Sequence, residues 1–216
     1  MKKFILTDET IEMFGVTLHR IKAVRSFGNI KEGDLGGFVE KEDNISENFE
    51  AWVYGNAKVW GNAKVSDNAE VSGNAKLWGN AEVSGDAKVS GDAKVSGDAK
   101  LWGNAEVSGD AVVSGDAKVS GDAKVSGDAK LWGNAKVSGD AKVWGNADYI
   151  VFKNWWSSGR YFTWTRSNNM WSVGCFYGTG EELIKKAYQN SEKSGREYER
   201  VVRLVESILE DEKNEK

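Results

Sequence analysis

Proline is absent from this chain, cysteine and histidine occur once each, and there is no long apolar run. Without proline, turns fall to glycine, asparagine and aspartate. A single cysteine, Cys175, excludes an internal disulfide and gives no support for an oxidising compartment; it reads as buried packing. The lone His19, set between Leu18 and Ile21, reads as structural or solvent-facing rather than catalytic. No run approaches the roughly eighteen residues of a membrane span. Residues 1–8 carry two lysines followed by only Phe4, Ile5 and Leu6, too short an apolar stretch for a signal peptide. The expectation is a soluble, cytoplasmic protein without membrane contact. Charge has no pole either. The net charge is −4, and between residues 51 and 147 eleven lysines offset twelve acids. That excludes the basic patch of a nucleic-acid binder and the density of a polyanionic mimic.

What is abundant is one unit. Seventeen alanines stand at every sixth position from Ala51 to Ala147 without a slip. The unit around each reads Gly-(Asn/Asp)-Ala-(Lys/Glu)-(Val/Leu)-(Ser/Trp), as in Gly85-Asp86-Ala87-Lys88-Val89-Ser90. Within it, Ala-Lys-Val-Ser alternates apolar and polar, the strand period. Alanine and valine share one face, lysine and serine the other. Glycine with asparagine or aspartate then turns the chain. A helix is excluded, because period six fits no helical face and a glycine every six residues costs about 1 kcal/mol each. Short strands joined by corners, with no returning hairpin, wind into a solenoid.

The large aliphatic with a small alanine two residues earlier resembles the hexapeptide pattern of left-handed parallel β-helices. That resemblance implies triangular coils of three hexapeptides, or 18 residues. The 97 residues from 51 to 147 then make about 5.4 coils, a prism about 26 Å long at roughly 4.8 Å per stacked strand. Both open ends need covers. Stacking by 18 puts Lys88, Glu106, Lys124 and Lys142 in one outward column and Lys64, Glu82 and Lys100 in another. Opposite signs as strand neighbours stabilise by about 0.2–1 kcal/mol each. Asp92, Asp110 and Asp128 stack at one corner, read as structural corner residues accepting backbone N–H bonds, with no metal assigned.

The outward serine position is tryptophan at Trp60, Trp78, Trp102, Trp132 and Trp144, and tyrosine at Tyr54. Aromatics are enriched at contact surfaces, so Trp60, Trp78, Trp132 and Trp144 are interface candidates. The Trp60–Trp78 pair is equally suited to packing against the N-terminal segment. Trp102 stands apart on another face and reads as local packing.

The ends break the pattern. Residues 1–44 read as a β cap, with strands around a turn at Phe14-Gly15, a second turn at Phe27-Gly28-Asn29-Ile30, and a turn-rich lead into the repeat over 33–40. Ile45, six residues before Ala51, continues the alanine column, which sets the β-helix at 45–148. Residues 149–216 read as a small α+β module docked on the last coil. Its strands are 149–152, 161–166 and 170–177; Thr179-Gly180-Glu181-Glu182 opens a helix to about Asn190, and Ser194-Gly195-Arg196-Glu197 opens a second. Val201, Val202, Leu204, Val205, Ile208 and Leu209 give the last helix an apolar face. The fold class expected is mainly β: a left-handed parallel β-helix of about 5–6 coils with an N-terminal β cap and a C-terminal α+β module.

The stretch Leu18-His19-Arg20-Ile21-Lys22-Ala23, followed by Gly33-Asp34-Leu35-Gly36-Gly37, resembles the opening of a group of phage and prophage hexapeptide-repeat proteins. Their end module is similar to Ser158 with Arg160, Thr163 with Thr165, Gly174-Cys175-Phe176 and Gly178-Thr179. The resemblance spans the chain and implies a phage accessory role without a firm activity. The acyltransferases among the β-helix proteins imply a histidine base facing a coenzyme A groove between subunits of a trimer. Here the repeat holds no histidine and no inserted loop, so that chemistry is disfavoured, and no catalytic residue or cofactor is assigned.

The most site-like cluster is Trp155, Trp156, Ser157, Ser158, Arg160, Thr163, Thr165 and Arg166. It combines aromatic faces, hydroxyls and two guanidiniums, which suit carboxylate or phosphate. The expected partner is a protein with an acidic surface, or a nucleotide-like small ligand, and a second copy of the chain in a dimer or trimer. The alternatives are a phage accessory protein that blocks a host component such as a defence factor, a structural spacer or self-assembling scaffold, and an unrecognised enzyme.

Overall fold

The six-residue period becomes an 18-residue coil in the backbone hydrogen bonds. In the computed structural model, which describes residues 2–215, Lys88-Val89 pairs in parallel with Glu106-Val107, which pairs with Lys124-Val125 and then Lys142-Val143. Two compact units divide between Asn146 and Ala147.

The first unit opens with β1 (Phe4–Met13) and β2 (Val16–Ala23), an antiparallel hairpin. Phe14 and Gly15 close it, both at positive φ (53° and 79°), the two-residue turn whose twist matches paired strands. β3 (Leu35–Val39) pairs antiparallel with β2 on one side and parallel with Lys58-Val59 on the other. It thus converts hairpin to solenoid. Sixteen two-residue strands follow among the described residues, β4 (Trp52–Val53) to β19 (Lys142–Val143), one in each repeat. They form three parallel stacks of about six coils, and the stack beginning at β3 carries the hairpin as its extension.

The repeat chemistry explains the coil. Every alanine from Ala51 to Ala141 and every Val or Leu two residues on is buried. The corner glycines from Gly55 to Gly139 sit at positive φ, and the next residue's N–H donates to the glycine carbonyl one coil on, as in Asn74 to Gly91 (2.8 Å) and Asp92 to Gly109 (2.9 Å). Corner side chains ladder as well: the amides of Asn68, Asn74, Asn80 and Asn104 donate to Asp86, Asp92, Asp98 and Asp122 at 2.8–3.1 Å. Outward pairs Lys88–Glu70, Lys100–Glu82 and Lys124–Glu106 close at 3.7, 2.7 and 3.1 Å.

The first coil differs from the reading of the repeat. Ile45 pairs with Val65, and Phe38 with Lys58, so the offset there is 20 residues, not 18. Ile45 therefore enters the aliphatic column, not the alanine column. Two extra residues are absorbed before Ala51, where Phe49 turns at φ 58°. Phe4 and Phe27 close edge-on over the Trp52 indole at 6.1 and 5.4 Å, and the buried Lys3 lies with its Nζ over the Phe27 ring at 5.2 Å.

The second unit is an antiparallel meander, β20 (Tyr149–Lys153), β21 (Tyr161–Thr165), β22 (Met170–Val173) and β23 (Phe176–Gly178), followed by α1 (Gly180–Asn190) and α2 (Glu192–Asn214). Phe162, Trp164, Trp171 and Val173 pack on Leu183, Ile184, Ala187, Tyr198, Val202 and Val205. Of the expected apolar face, Leu204 and Ile208 are exposed; the packed stripe runs Tyr198, Val202, Val205. α1 starts at the capping box of Thr179 and Glu182. The second cap is Ser191, whose hydroxyl accepts from the N–H of Ser194, so Ser194 lies inside α2 rather than before it. Gly195 sits in that first turn because the Tyr188 ring occupies the place of a side chain. Cys175 is exposed, not buried: Gly174 at φ 60° breaks the expected single strand and turns Cys175 outward. No helix among the described residues is long and apolar enough to cross a membrane.

Candidate functional site

In the second unit, the sequence between β20 and β21 builds a braced turn. Asn154 is buried; its Oδ1 accepts from the N–H groups of Trp156 and Ser157 at 3.0 Å each, and its Nδ2 donates to Ser157 Oγ at 2.9 Å. An asparagine that bonds its own following backbone is a turn former. Ser158 Oγ accepts from the N–H of Arg160 (3.3 Å) and from Tyr198 Oη (3.1 Å), which ties the turn to α2. The turn presents two indoles to solvent, Trp155 at 73% and Trp156 at 65% exposure. Lys153 Nζ lies over the rings of Trp155 (4.7 Å) and Tyr161 (4.3 Å). Arg160 is exposed, and its stem passes close to Gly174.

The eight residues of the sequence cluster do not converge. Trp155, Trp156, Ser157, Ser158 and Arg160 share this turn. Thr163 and Thr165 are buried in the middle and far end of β21, with Thr165 Oγ1 donating to Asn168 Oδ1 at 2.6 Å. Arg166 lies beyond that far end. Its guanidinium forks onto Glu212 at 2.7 and 2.9 Å and donates from Nε to the Ala147 carbonyl at 3.2 Å. The Glu212 hydrogen bond raises the Arg166 pKa, and the fork ties β21 to the end of α2.

On the solenoid, Trp60 is 8% exposed and packs with Leu18 and Phe38 beneath the hairpin. Trp78 stacks on it, centroids 5.2 Å apart and planes 8° from parallel. Phe14 tilts against Trp60 at 6.3 Å. Trp132 and Trp144 are 61% and 60% exposed, and Trp102 is 40% exposed. His19 is half-buried, its Nδ1 3.2 Å from the Thr7 carbonyl oxygen.

Sequence reasoning missed four contributors. Asn154 was hidden because only its burial reveals the brace. Lys153 and Tyr161 face each other across β20 and β21, a pairing that needs the strand register. The turn-tip Phe14 was legible only as a turn. Among the described residues no three His, Cys, Asp or Glu side chains converge as a metal would require. Neither the protein-family models nor the curated proteins compared with this chain include a match to it.

Proposed function

We propose that this chain is a non-enzymatic binding protein, in which the solenoid is a scaffold and the turn over 154–160 engages a protein partner. The observation that carries this is the brace: a buried Asn154 holds three groups of the turn while Trp155 and Trp156 stand in water. Solvent-exposed indoles on a pre-ordered backbone are what binding hot spots are made of, since little conformational entropy is lost when they dock. Lys153 and Arg160 beside them favour a partner with carboxylates. The sequence resemblance at 18–23, 33–37 and 158–179 supports the setting, an accessory protein of a phage or prophage acting in the bacterial cytoplasm on a host component, such as a defence factor.

The test is affinity capture by the tagged chain from bacterial host lysate, read by quantitative mass spectrometry. The Trp155→Ala/Trp156→Ala variant should lose at least about 30-fold of any captured protein, the equivalent of one hot spot of 2 kcal/mol, with an unchanged melting temperature. Equal capture by this variant rejects the reading.

A second reading, self-assembly of the scaffold, is favoured by Trp132 and Trp144, which stay mostly exposed on the coils. Sedimentation equilibrium decides it: an oligomer that Trp132→Ala/Trp144→Ala dissolves supports self-assembly, and a monomeric wild type rejects it.

A further inference from the structure

The three outward faces of the solenoid differ in how they treat charge. In the stacks through Lys88 and Lys64, glutamates interleave with the lysines and form the ion pairs described above. The stack that begins at β3 contains no acid: Lys58, Lys76, Lys94, Val112 and Lys130 follow one another in register. The stack through Lys64 also ends in lysines, but its Lys100 is paired with Glu82. Like charges in register destabilise a sheet. Lys76 pushes down the pKa of Lys58, second only to burial, and Lys76 and Lys94 have no acidic partner among the described residues.

Beside this column stand Trp60 and Trp78, and over them Phe14. Phe14 is 86% exposed and holds a left-handed conformation at φ 53°. A bulky residue there is an outlier, where asparagine would make the favoured two-residue turn with Gly15. A rule broken twice on one face, by stacked lysines and a strained exposed phenylalanine, marks a site rather than a scaffold. Together Phe14, Trp60, Lys76, Trp78 and Lys94 line a groove of about 510 Å³.

We infer that this groove binds an acidic peptide segment carrying an aromatic or aliphatic side chain, with its carboxylates on Lys76 and Lys94 and its apolar side chain against Phe14 and Trp78. The lining offers cationic donors and apolar surface but no side-chain carboxylate or amide to read the donors of a nucleobase edge. One face of Trp60 is already covered by Trp78 and Phe14 tilts against the ring, so a base finds little open indole. The groove belongs to the first unit and shares no residue with the turn at 154–160.

The probe is a fluorescein-labelled Asp-Glu-Phe-Asp-Glu pentapeptide, followed by anisotropy, beside its Lys-Lys-Phe-Lys-Lys counterpart, ATP and an oligo-dT strand. Two variants keep the test clear of misfolding. K76E restores the Glu–Lys alternation of the other faces, and F14N relieves the turn, so both should melt no lower than wild type. We expect saturable binding of the acidic peptide alone, weakened at least tenfold by either variant and by added salt, and unchanged in Trp155→Ala/Trp156→Ala. Undiminished binding by K76E, equal binding of the basic peptide, tighter binding of ATP or oligo-dT, or no binding to wild type overturns the inference.

Discussion

A methyl group added at Gly97 and one added at Gly133 should cost very different amounts, although both glycines hold the same corner conformation, at φ 68° and 62°. An L-residue in the left-handed region costs about 1–2 kcal/mol, offset by about 0.4–1 kcal/mol from the stiffer unfolded chain. At Gly133 a new Cβ meets nothing within 4 Å, so Gly133→Ala should lose only about 0.5–1 kcal/mol. At Gly97 the same Cβ would lie 2.8 Å from Gly115 N and 3.1 Å from its O and Cα, all backbone. The coils must part by a few tenths of an ångström. The bonds flanking the corner, Ser96 N–H to Val113 O at 2.9 Å and Lys100 N–H to Ala117 O at 3.0 Å, lengthen with them. Weakening two bonds worth about 0.5–1.5 kcal/mol each brings the total loss for Gly97→Ala to about 2–3 kcal/mol.

The assay is thermal unfolding by circular dichroism, where 1 kcal/mol moves the midpoint by about 2–4 °C in a chain of this size. Gly97→Ala should fall by about 4–12 °C and Gly133→Ala by no more than about 4 °C. Asp67 supplies an internal control. It holds the corner position of a glycine at φ 57°, and its Oδ2 accepts the Gly85 N–H at 3.0 Å. Gly97→Asp can make the same bond to Gly115, so it should be milder than Gly97→Ala despite its larger side chain. Equal losses for the two alanine variants would refute the stacking argument, and no loss in either would refute the corner strain.

Burial drives the Lys3 ammonium down to about 8, against the pull of Glu47, while its Nζ donates to the Ala51 carbonyl at 2.8 Å. Because the unfolded chain then holds that proton up to its ordinary value of 10.5, the penalty is complete below pH 8 and is relieved as pH rises. From pH 8 to 10 the wild type should gain about 2 kcal/mol relative to Lys3→Met; parallel urea midpoints for the two across that range contradict it. The comparison stops at pH 10 because the Tyr54 pKa is raised, chiefly by burial, so that stability begins to fall as the unfolded tyrosine ionises first. At the start of α1, Thr179→Ala should cost about 1 kcal/mol at neutral pH. The bonds from Thr179 N–H and Oγ1 at 2.8 and 2.9 Å hold the Glu182 carboxyl below its ordinary value, so part of what they contribute is lost as pH falls through that lowered value. Melting curves of Thr179→Ala and wild type should therefore converge in acid, and a gap that stays constant down to about pH 3 speaks against the cap.

The solenoid was legible because each of its interactions is local or repeats at a fixed interval. Ala-Lys-Val states which side chain points inward, Gly-Asp states where the chain turns, and three repeats return it to the same face. Where the repeat stops, the information becomes tertiary. Nothing near Ile45 announces that Phe49 will absorb two residues and shift the first coil. Ser191 caps α2 in preference to Ser194 because α1 ends there, with the Ser191 N–H donating to Ala187 O at 3.2 Å. The candidate cluster failed to converge for an elementary reason: Arg160 and Arg166 flank a five-residue strand, and at roughly 3.3 Å per residue six residues of extended chain part them by about 20 Å.

Tryptophan in this repeat is followed by Gly-Asn and serine mostly by Gly-Asp. Corner side chains stack one coil apart, and a column of aspartates offers acceptors without donors. An asparagine supplies the amide that the acid above it accepts, as Asn80 does for Asp98 and Asn104 for Asp122 at 2.8 Å each. Asn68 and Asn74 do the same after serine, at Asp86 and Asp92, so the amide belongs to the column and not to the indole. The corner therefore accounts for where asparagine is useful and leaves its partnership with tryptophan to whatever the indole itself meets. On the stack that begins at β3, that is the hairpin and a column of lysines without acids. Beside that face the amides of Asn62 and Asn80 donate to the next corner at 3.2 and 2.8 Å, while Lys76 and Lys94 on it meet no acid among the described residues, which separates the parts of the repeat that hold the coil together from those free to recognise something else.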